Sequence, residues 1–341
     1  MRIVETTPDQ NAAVVAVLGV VATARGETPP SEADEAVIGA AARHLLGATV
    51  EVADLPTDLP DDVAITLDGT DVSELAMSIA AILCLADITK KADGKQAPFE
   101  PARVEALRDV AQSLQVDDDD VDELYQLTTY HRARVTFDLF RRYLASNYGE
   151  YLPMLRVTLE QAGAAVGVDR DEHEARWRVM ERLGDGSVGA ELVRYYHEHN
   201  WPYPGTNRHQ PLEFAEHDFH HVLGGYATTP AGELQAGAFT AGVAGRPFDG
   251  ARFLLLWEQL GVLSRAIPGA VEAFDADSFF AALERGTRTT QDFVGADWDP
   301  WSIVNRDLDE MRDAYRIGSG GQLAPGDPYD RDPPLIRAAQ A

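Results

Sequence analysis

His217-Asp218-Phe219-His220-His221, the eleven residues Val222 to Gly232, and Glu233 together read as two helices joined by a short turn. Side chains four apart share a helix face, so His217 and His221 lie one above the other. Asp218 falls about 100° round from His217 and about 60° from His221 on the same helix. Gly224 and Gly225 are natural places for that helix to stop, because glycine accepts the left-handed backbone that ends many helices. Thr229 and Pro230 suit the N-cap and first residue of the next helix. Glu233 then lies near the start of that second helix, placed to fold back towards the first.

His217, Asp218, His221 and Glu233 are therefore candidate ligands of one divalent metal ion. Mixed imidazole and carboxylate donors suit zinc first, with iron(II), manganese or magnesium as alternatives, and calcium, which takes oxygen alone, least. Asp218 is also the candidate catalytic group, as a ligand or as the residue that orients a bound water. Six of the nine histidines fall between His197 and His221, a concentration that favours a site over scatter. The alternative is a solvated polar helix face, since H-x-x-x-H also occurs in helices that bind nothing. His220 is expected to point away from the pair, either behind the ligands or at the surface.

The chain has 341 residues, enough for two domains of ordinary size. Its formal charge is −27 and its only lysines are Lys90, Lys91 and Lys95. Such a surface excludes nonspecific nucleic-acid binding, which needs a positive field. It also opposes electrostatic attachment to anionic lipid, leaving at most a local, apolar and peripheral membrane contact. The apolar run Ala12 to Ala24 lacks a basic leader and falls short of the roughly 20 residues a bilayer span takes. A cytoplasmic protein is the expectation. Cys84, the single cysteine, lies in Ile82-Leu83-Cys84-Leu85 and reads as a buried inert thiol.

Helical spacing dominates throughout and predicts an all-α protein. A faint repeat at an offset of 68 residues relates Ala24, Gly26, Pro30, Glu32 and Leu46 to Ala92, Gly94, Pro98, Glu100 and Leu114. Each copy reads as an apolar helix, a turn and a second helix opening at Pro and Glu. Pairing two such hairpins buries Val14 to Val21 against Leu75 to Leu85. Ala92-Asp93-Gly94 followed by Glu100 resembles the turn of tellurite-resistance TerB-like helical domains, over residues 10 to 145. Arg25 departs from that pattern in the first copy. Asp93 and Glu100 read as helix caps in preference to metal ligands. Between the hairpins, Ala64 to Leu67 is expected to form one short strand within a long connection. Asp117 to Asp120 reads as the favourable start of a helix. An aromatic stripe including Tyr125, Phe137, Phe140, Tyr143, Leu155 and Trp177 reads as core.

In the second half, Gly184 to Gly189 opens a helix with Ser187 as N-cap, carrying Leu192, Tyr195 and Tyr196 among its apolar positions. Together with H-D-x-x-H-x₁₁-E this segment resembles the Coq-four family of ubiquinone biosynthesis, over residues 180 to 318. Gly286, Trp298, Trp301 and Asp307-Leu308-Asp309-Glu310-Met311-Arg312 extend the match, with Asp307 where that family carries Pro. The basic, tyrosine-containing run that precedes the family's first histidine is replaced here by Asn207 to Phe214. The resemblance implies an all-helical domain over residues 146 to 320, a divalent cation at the motif and an apolar cleft for a polyprenyl chain. It also implies oxidative decarboxylation of a prenylated aromatic acid, or lipid-bound scaffolding of other biosynthetic enzymes. A second copy of the chain is a separate candidate partner.

Independently, Phe239, Phe253, Leu254, Leu255, Trp257, Leu260, Val262 and Leu263 form an apolar stretch beside the motif, read as core or as a lipid-lined pocket. Arg194, Arg208 and His209 are candidates to hold a substrate anion. The rival classes are a noncatalytic helical scaffold or lipid carrier with a structural ion, and a metal-dependent phosphohydrolase suggested by the His217-Asp218 pair. Residues 321 to 341 carry too little apolar surface for a core and are expected to be an extended, mobile tail.

Overall fold

The structure, a computed structural model, describes residues 6–52, 55–67, 71–86, 100–116, 121, 170–206, 212, 214–246, 249–250, 254, 274–295, 297–319, 323–324 and 326–329. Among these residues every regular element is helical and no strand forms, as the spacing predicts. The first half contributes α1 (Pro8–Ala22), α2 (Glu32–Ala41) with a π-turn over Ala42–Leu46, α3 (Asp61–Leu67), α4 (Asp71–Ala86) and α5 (Pro101–Ser113). The second contributes α6 (Arg170–Met180), α7 (Val188–Glu198), α8 (Phe214–Gly224), α9 (Pro230–Ala244), α10 (Ala276–Thr287), a 3₁₀ turn over Pro300–Ile303 and α11 (Leu308–Tyr315).

The offset of 68 residues corresponds to two hairpins, α1 with α2 and α4 with α5. Thr7 and Ser31 cap the first pair, each in a reciprocal capping box. Val14, Val17 and Val21 of α1 are fully buried against α4, whose Ala76, Ile79 and Leu83 are equally enclosed. A buried ion pair, absent from the sequence reading, ties the hairpins together. Arg103 of α5 donates two hydrogen bonds of 2.7 Å to Asp34 of α2. Both side chains are sealed from solvent, so each charge depends on the other.

Three local expectations need correction. Ala64 to Leu67 belongs to helix α3, not to a strand: Asp61 and Asp62 supply negative charge to its first turn, and Val63 and Leu67, four apart, bury one face. Glu100 occupies the N-cap of α5, but its side chain makes no capping bond and instead pairs with Arg103 Nε at 3.1 Å. Residues 323–324 and 326–329 of the expected tail are docked, with Leu323 and Tyr329 both buried. Their backbone is held by charged side chains and loop groups, a source of order that apolar content does not reveal. Cys84 is buried as expected, and burial pushes its thiol pKa up to about 12.

Helix α9, which carries Glu233, is held against α10 by a crossing of bare backbones. A Cβ on Gly286 would lie 2.1 Å from the Phe239 carbonyl oxygen, and one on Gly242 would lie 2.2 Å from that of Leu283. The opposite side of α10 packs on α2 and the π-turn, where His44 meets Glu284 at 2.9 Å and Arg43 meets Asp277 at 2.7 Å. Helices of the two halves are thus in direct contact. A boundary near residue 145 lies outside the described residues, as do Asp93, Asp117 to Asp120 and the aromatic positions Tyr125, Phe137, Phe140, Tyr143 and Leu155. Trp177 of that stripe is core. Among the described residues no helix is long and apolar enough to cross a membrane.

Candidate metal centre

Local structure around the motif follows the expected order. Helix α8 stops at Gly224, Gly225 takes a positive φ of 72°, and Thr229 caps α9 by accepting from the Gly232 amide at 3.1 Å. Gly232 also has a packing reason, since a Cβ there would meet the Ala227 carbonyl at 2.2 Å. The tight turn brings Glu233 back over the His217 and His221 face. His221 Nε2 lies 3.1 Å from His217 Nε2 and 3.4 Å from Glu233 Oε2, and His217 Nε2 lies 3.3 Å from the same oxygen.

These separations fit a metal. Zinc bonds of 2.0–2.1 Å in a tetrahedral arrangement place neighbouring donors about 3.3–3.4 Å apart. A second feature agrees: the other ring nitrogen of His221, Nδ1, faces the Tyr226 carbonyl at 3.1 Å. A proton on Nδ1 donated to that carbonyl leaves the Nε2 lone pair free to bind a cation. The solvated-face alternative does not survive, because the His221 side chain is 0% exposed. The cluster is open on one side, with 31% of the His217 side chain accessible.

Electrostatics bind the three groups to one another. Burial opposes ionisation of Glu233, yet the neighbouring His221 and His217 rings outweigh it and hold the carboxyl well below the usual range. Burial likewise opposes charge on His221, and Glu233 reverses that effect and raises its pKa.

Asp218 is placed differently from the other three. Its carboxylate accepts hydrogen bonds from Tyr195 at 3.1 Å and from Tyr196, both on α7, and the convergent donor set is His217, His221 and Glu233. Asp218 therefore stands beside that set as a neighbour, and the four-donor cage of the sequence reading reduces to three. Burial raises its pKa, against the pull of His217 and the Tyr196 hydrogen bond. Both phenols are buried and pushed up in pKa, chiefly by burial and then by Asp218, so they stay protonated donors. The periodicity that marks Tyr195 and Tyr196 as apolar helix positions carries no sign of this polar task.

His220 lies behind the ligands, not at the surface. It is buried, 3.1 Å from the Phe293 carbonyl and 3.4 Å from Thr240 Oγ1, and burial followed by repulsion from His217 takes its pKa down to about 3. A neutral ring at this position adds no charge to the cluster. Arg194 is committed elsewhere: it pairs with Glu191 and Glu198 and donates to the Asp327 carbonyl at 2.6 Å. Those bonds replace its expected role towards a substrate anion. Arg208 and His209 lie outside the described residues. Of the apolar stretch beside the motif, Phe239 and Leu254 are fully buried core, and the other six positions lie outside the described residues.

Comparison with protein-family models and with curated proteins found no match for this chain.

Proposed function

We propose that the protein binds one divalent cation, zinc by preference, through His217, His221 and Glu233, and uses it on an aromatic carboxylic acid of the kind that precedes a prenylated quinone. The three-donor cluster at 3.1–3.4 Å carries the metal part of this reading, and the resemblance of the H-D-x-x-H-x₁₁-E segment to the Coq-four family supplies the substrate class. Bound there, the ion would supply Lewis acidity, stabilising negative charge by several kcal/mol. The remaining work falls to the chain. Tyr195 and Tyr196 hold the Asp218 carboxylate in one orientation beside the donors. In that position Asp218 gives a proton to the ring carbon as its bond to the carboxyl carbon breaks, so that a C–H bond replaces the C–C bond, carbon dioxide leaves and no change of oxidation state is needed. Neutral, buried His220 packs its ring edge-on to His217 from the inner side of the helix.

The accessible His217 edge favours a working site over a purely structural ion, which protein would close on all sides. The test is incubation of metal-loaded protein with a prenylated hydroxybenzoate, with and without hydrogen peroxide as a two-electron oxidant, following carbon dioxide release. Loss of carbon dioxide that disappears in His217→Ala and Asp218→Asn is the expected result. Binding of the prenylated acid without turnover would place the protein among noncatalytic lipid carriers. Phosphate release from mononucleotides under the same conditions would favour a phosphohydrolase.

A further inference from the structure

Two buried arginines cap the end of the ligand helix in an unusual way. Arg312 of α11 donates to the carbonyls of Val222 and Leu223 at 3.0 Å, and Arg285 of α10 donates to that of Gly224 at 3.1 Å. These are the last carbonyls of α8, where positive charge is favoured. Each guanidinium also reaches a second stretch of chain. Arg312 donates to the Leu323 carbonyl at 3.1 Å, and Arg285 donates to the Gly318 carbonyl at 2.8 Å. The same groups therefore hold the ligand helix and the segment that follows α11.

That segment is bonded across both ends of the loop between the two ligand helices. The Leu323 amide donates to the Gly225 carbonyl at 2.7 Å, and the Thr228 amide donates to the Tyr329 carbonyl at 2.9 Å. Gly225 ends α8 and Thr228 precedes the cap of α9, so the segment spans the hinge that sets the distance from the histidines to Glu233. Helix α7 grips it from the other side. Glu198 accepts from the Tyr329 amide at 2.8 Å, and the Arg194 guanidinium lies 4.8 Å from the Tyr329 ring centre. The Tyr329 ring meets Tyr195 at 5.1 Å, and Tyr195 in turn meets His221 at 5.8 Å.

We propose that residues 323–324 and 326–329 form a clamp on the metal centre, with Tyr329 and Arg312 as positioning residues that fix the separation of the donor helices. Cation affinity then depends on a segment with no ligand in it. The inference rests on the metal reading above, and its test separates the two. Full-length Tyr329→Ala and Tyr329→Phe are compared with the wild type for cobalt(II) affinity, the visible spectrum of the bound cobalt, and hydrogen exchange at the Thr228 amide. Loss of a partner beyond the ligands lowers metal affinity about 10-fold to 100-fold. Tyr329→Ala is expected to weaken cobalt binding at least about tenfold, to shift its spectrum and to speed Thr228 exchange. Tyr329→Phe, which keeps the ring on Arg194 and Tyr195, restores all three.

Unchanged cobalt affinity and spectrum in Tyr329→Ala would overturn the clamp. If the wild type takes up no cobalt, the metal reading fails by itself and the exchange measurement decides: faster Thr228 exchange in Tyr329→Ala supports the clamp, and unaltered exchange overturns it. If Tyr329→Ala does not fold, Thr228→Val takes its place with the same deciding outcomes: it removes the 3.0 Å bond from the Thr228 hydroxyl to the Tyr329 carbonyl together with that hydroxyl's 2.5 Å contact with His199 Nε2, and exchange is read at the Leu323 amide.

Discussion

Replacing Gly286 by alanine tests the packing that sets α9, and with it Glu233, in place. The new Cβ would lie 2.1 Å from the Phe239 carbonyl oxygen, 2.8 Å from the Val243 nitrogen and 2.9 Å from Gly242 Cα. All three are backbone atoms, so no side chain can swing aside. Real Cβ atoms keep at least 3.0 Å from such neighbours, so α9 and α10 must part by nearly an ångström. Overpacking of this kind costs about 1–3 kcal/mol or more. Removing the conformational freedom of a helical glycine returns at most about 1 kcal/mol. Gly286→Ala is therefore expected to destabilise by about 2 kcal/mol. Gly39→Ala in α2 is the control, because its Cβ would meet only the flexible Arg43 Nη1 at 3.4 Å. It is expected to stabilise by about 0.5–1 kcal/mol. Urea unfolding at pH 7 measures both, with midpoints shifting in opposite directions at an unchanged slope. A Gly286→Ala midpoint equal to or above the wild type would show that the two helices do not cross backbone to backbone.

Charged and titratable side chains elsewhere in the fold have measurable consequences. Arg103→Met leaves Asp34 sealed with no counter-charge and should cost about 3–5 kcal/mol in urea unfolding, most of which returns in the double variant with Asp34→Leu. The Cys84 thiol, raised to about 12 by burial, should resist iodoacetamide at pH 8 in the folded chain and react fully in guanidinium. The Asp277 carboxyl is held below its usual 3.8 first by Arg43 and then, against burial, by His44. A depressed carboxyl stabilises the folded state above its unfolded pKa and loses that contribution as pH falls through the folded value. The stability gap between wild type and Asp277→Asn should accordingly be present at pH 6 and shrink below pH 3.8, as followed by thermal unfolding.

Much of the centre was legible because it is local. His217, His221, the glycine stop, the Thr229-Pro230 start and Glu233 lie within seventeen consecutive residues, and helix periodicity with capping chemistry places them without long-range information. The paired hairpins were legible for the same reason, through apolar periodicity repeated at a fixed offset. What escaped the sequence depends on partners distant along the chain. Asp218 is adjacent to His217, but its direction is decided by Tyr195 and Tyr196 on the preceding helix, 23 and 22 residues upstream. Asp34 and Arg103 are 69 residues apart, and nothing in the composition of α2 or α5 pairs them. Residues 323–324 and 326–329 look like a tail because their apolar content is low, whereas their place is fixed by Arg312, Glu198 and the backbone of residues 225–228.

The central claim is that His217, His221 and Glu233 hold one ion together, and equilibrium titration of metal-stripped protein with zinc, with elemental analysis of the product, tests it most directly. One zinc per chain in the wild type is expected, together with severe loss of binding in each of His217→Ala, His221→Ala and Glu233→Gln while helicity is retained. Wild-type protein that takes up no divalent ion, or binding that survives removal of any one of these donors, would contradict it.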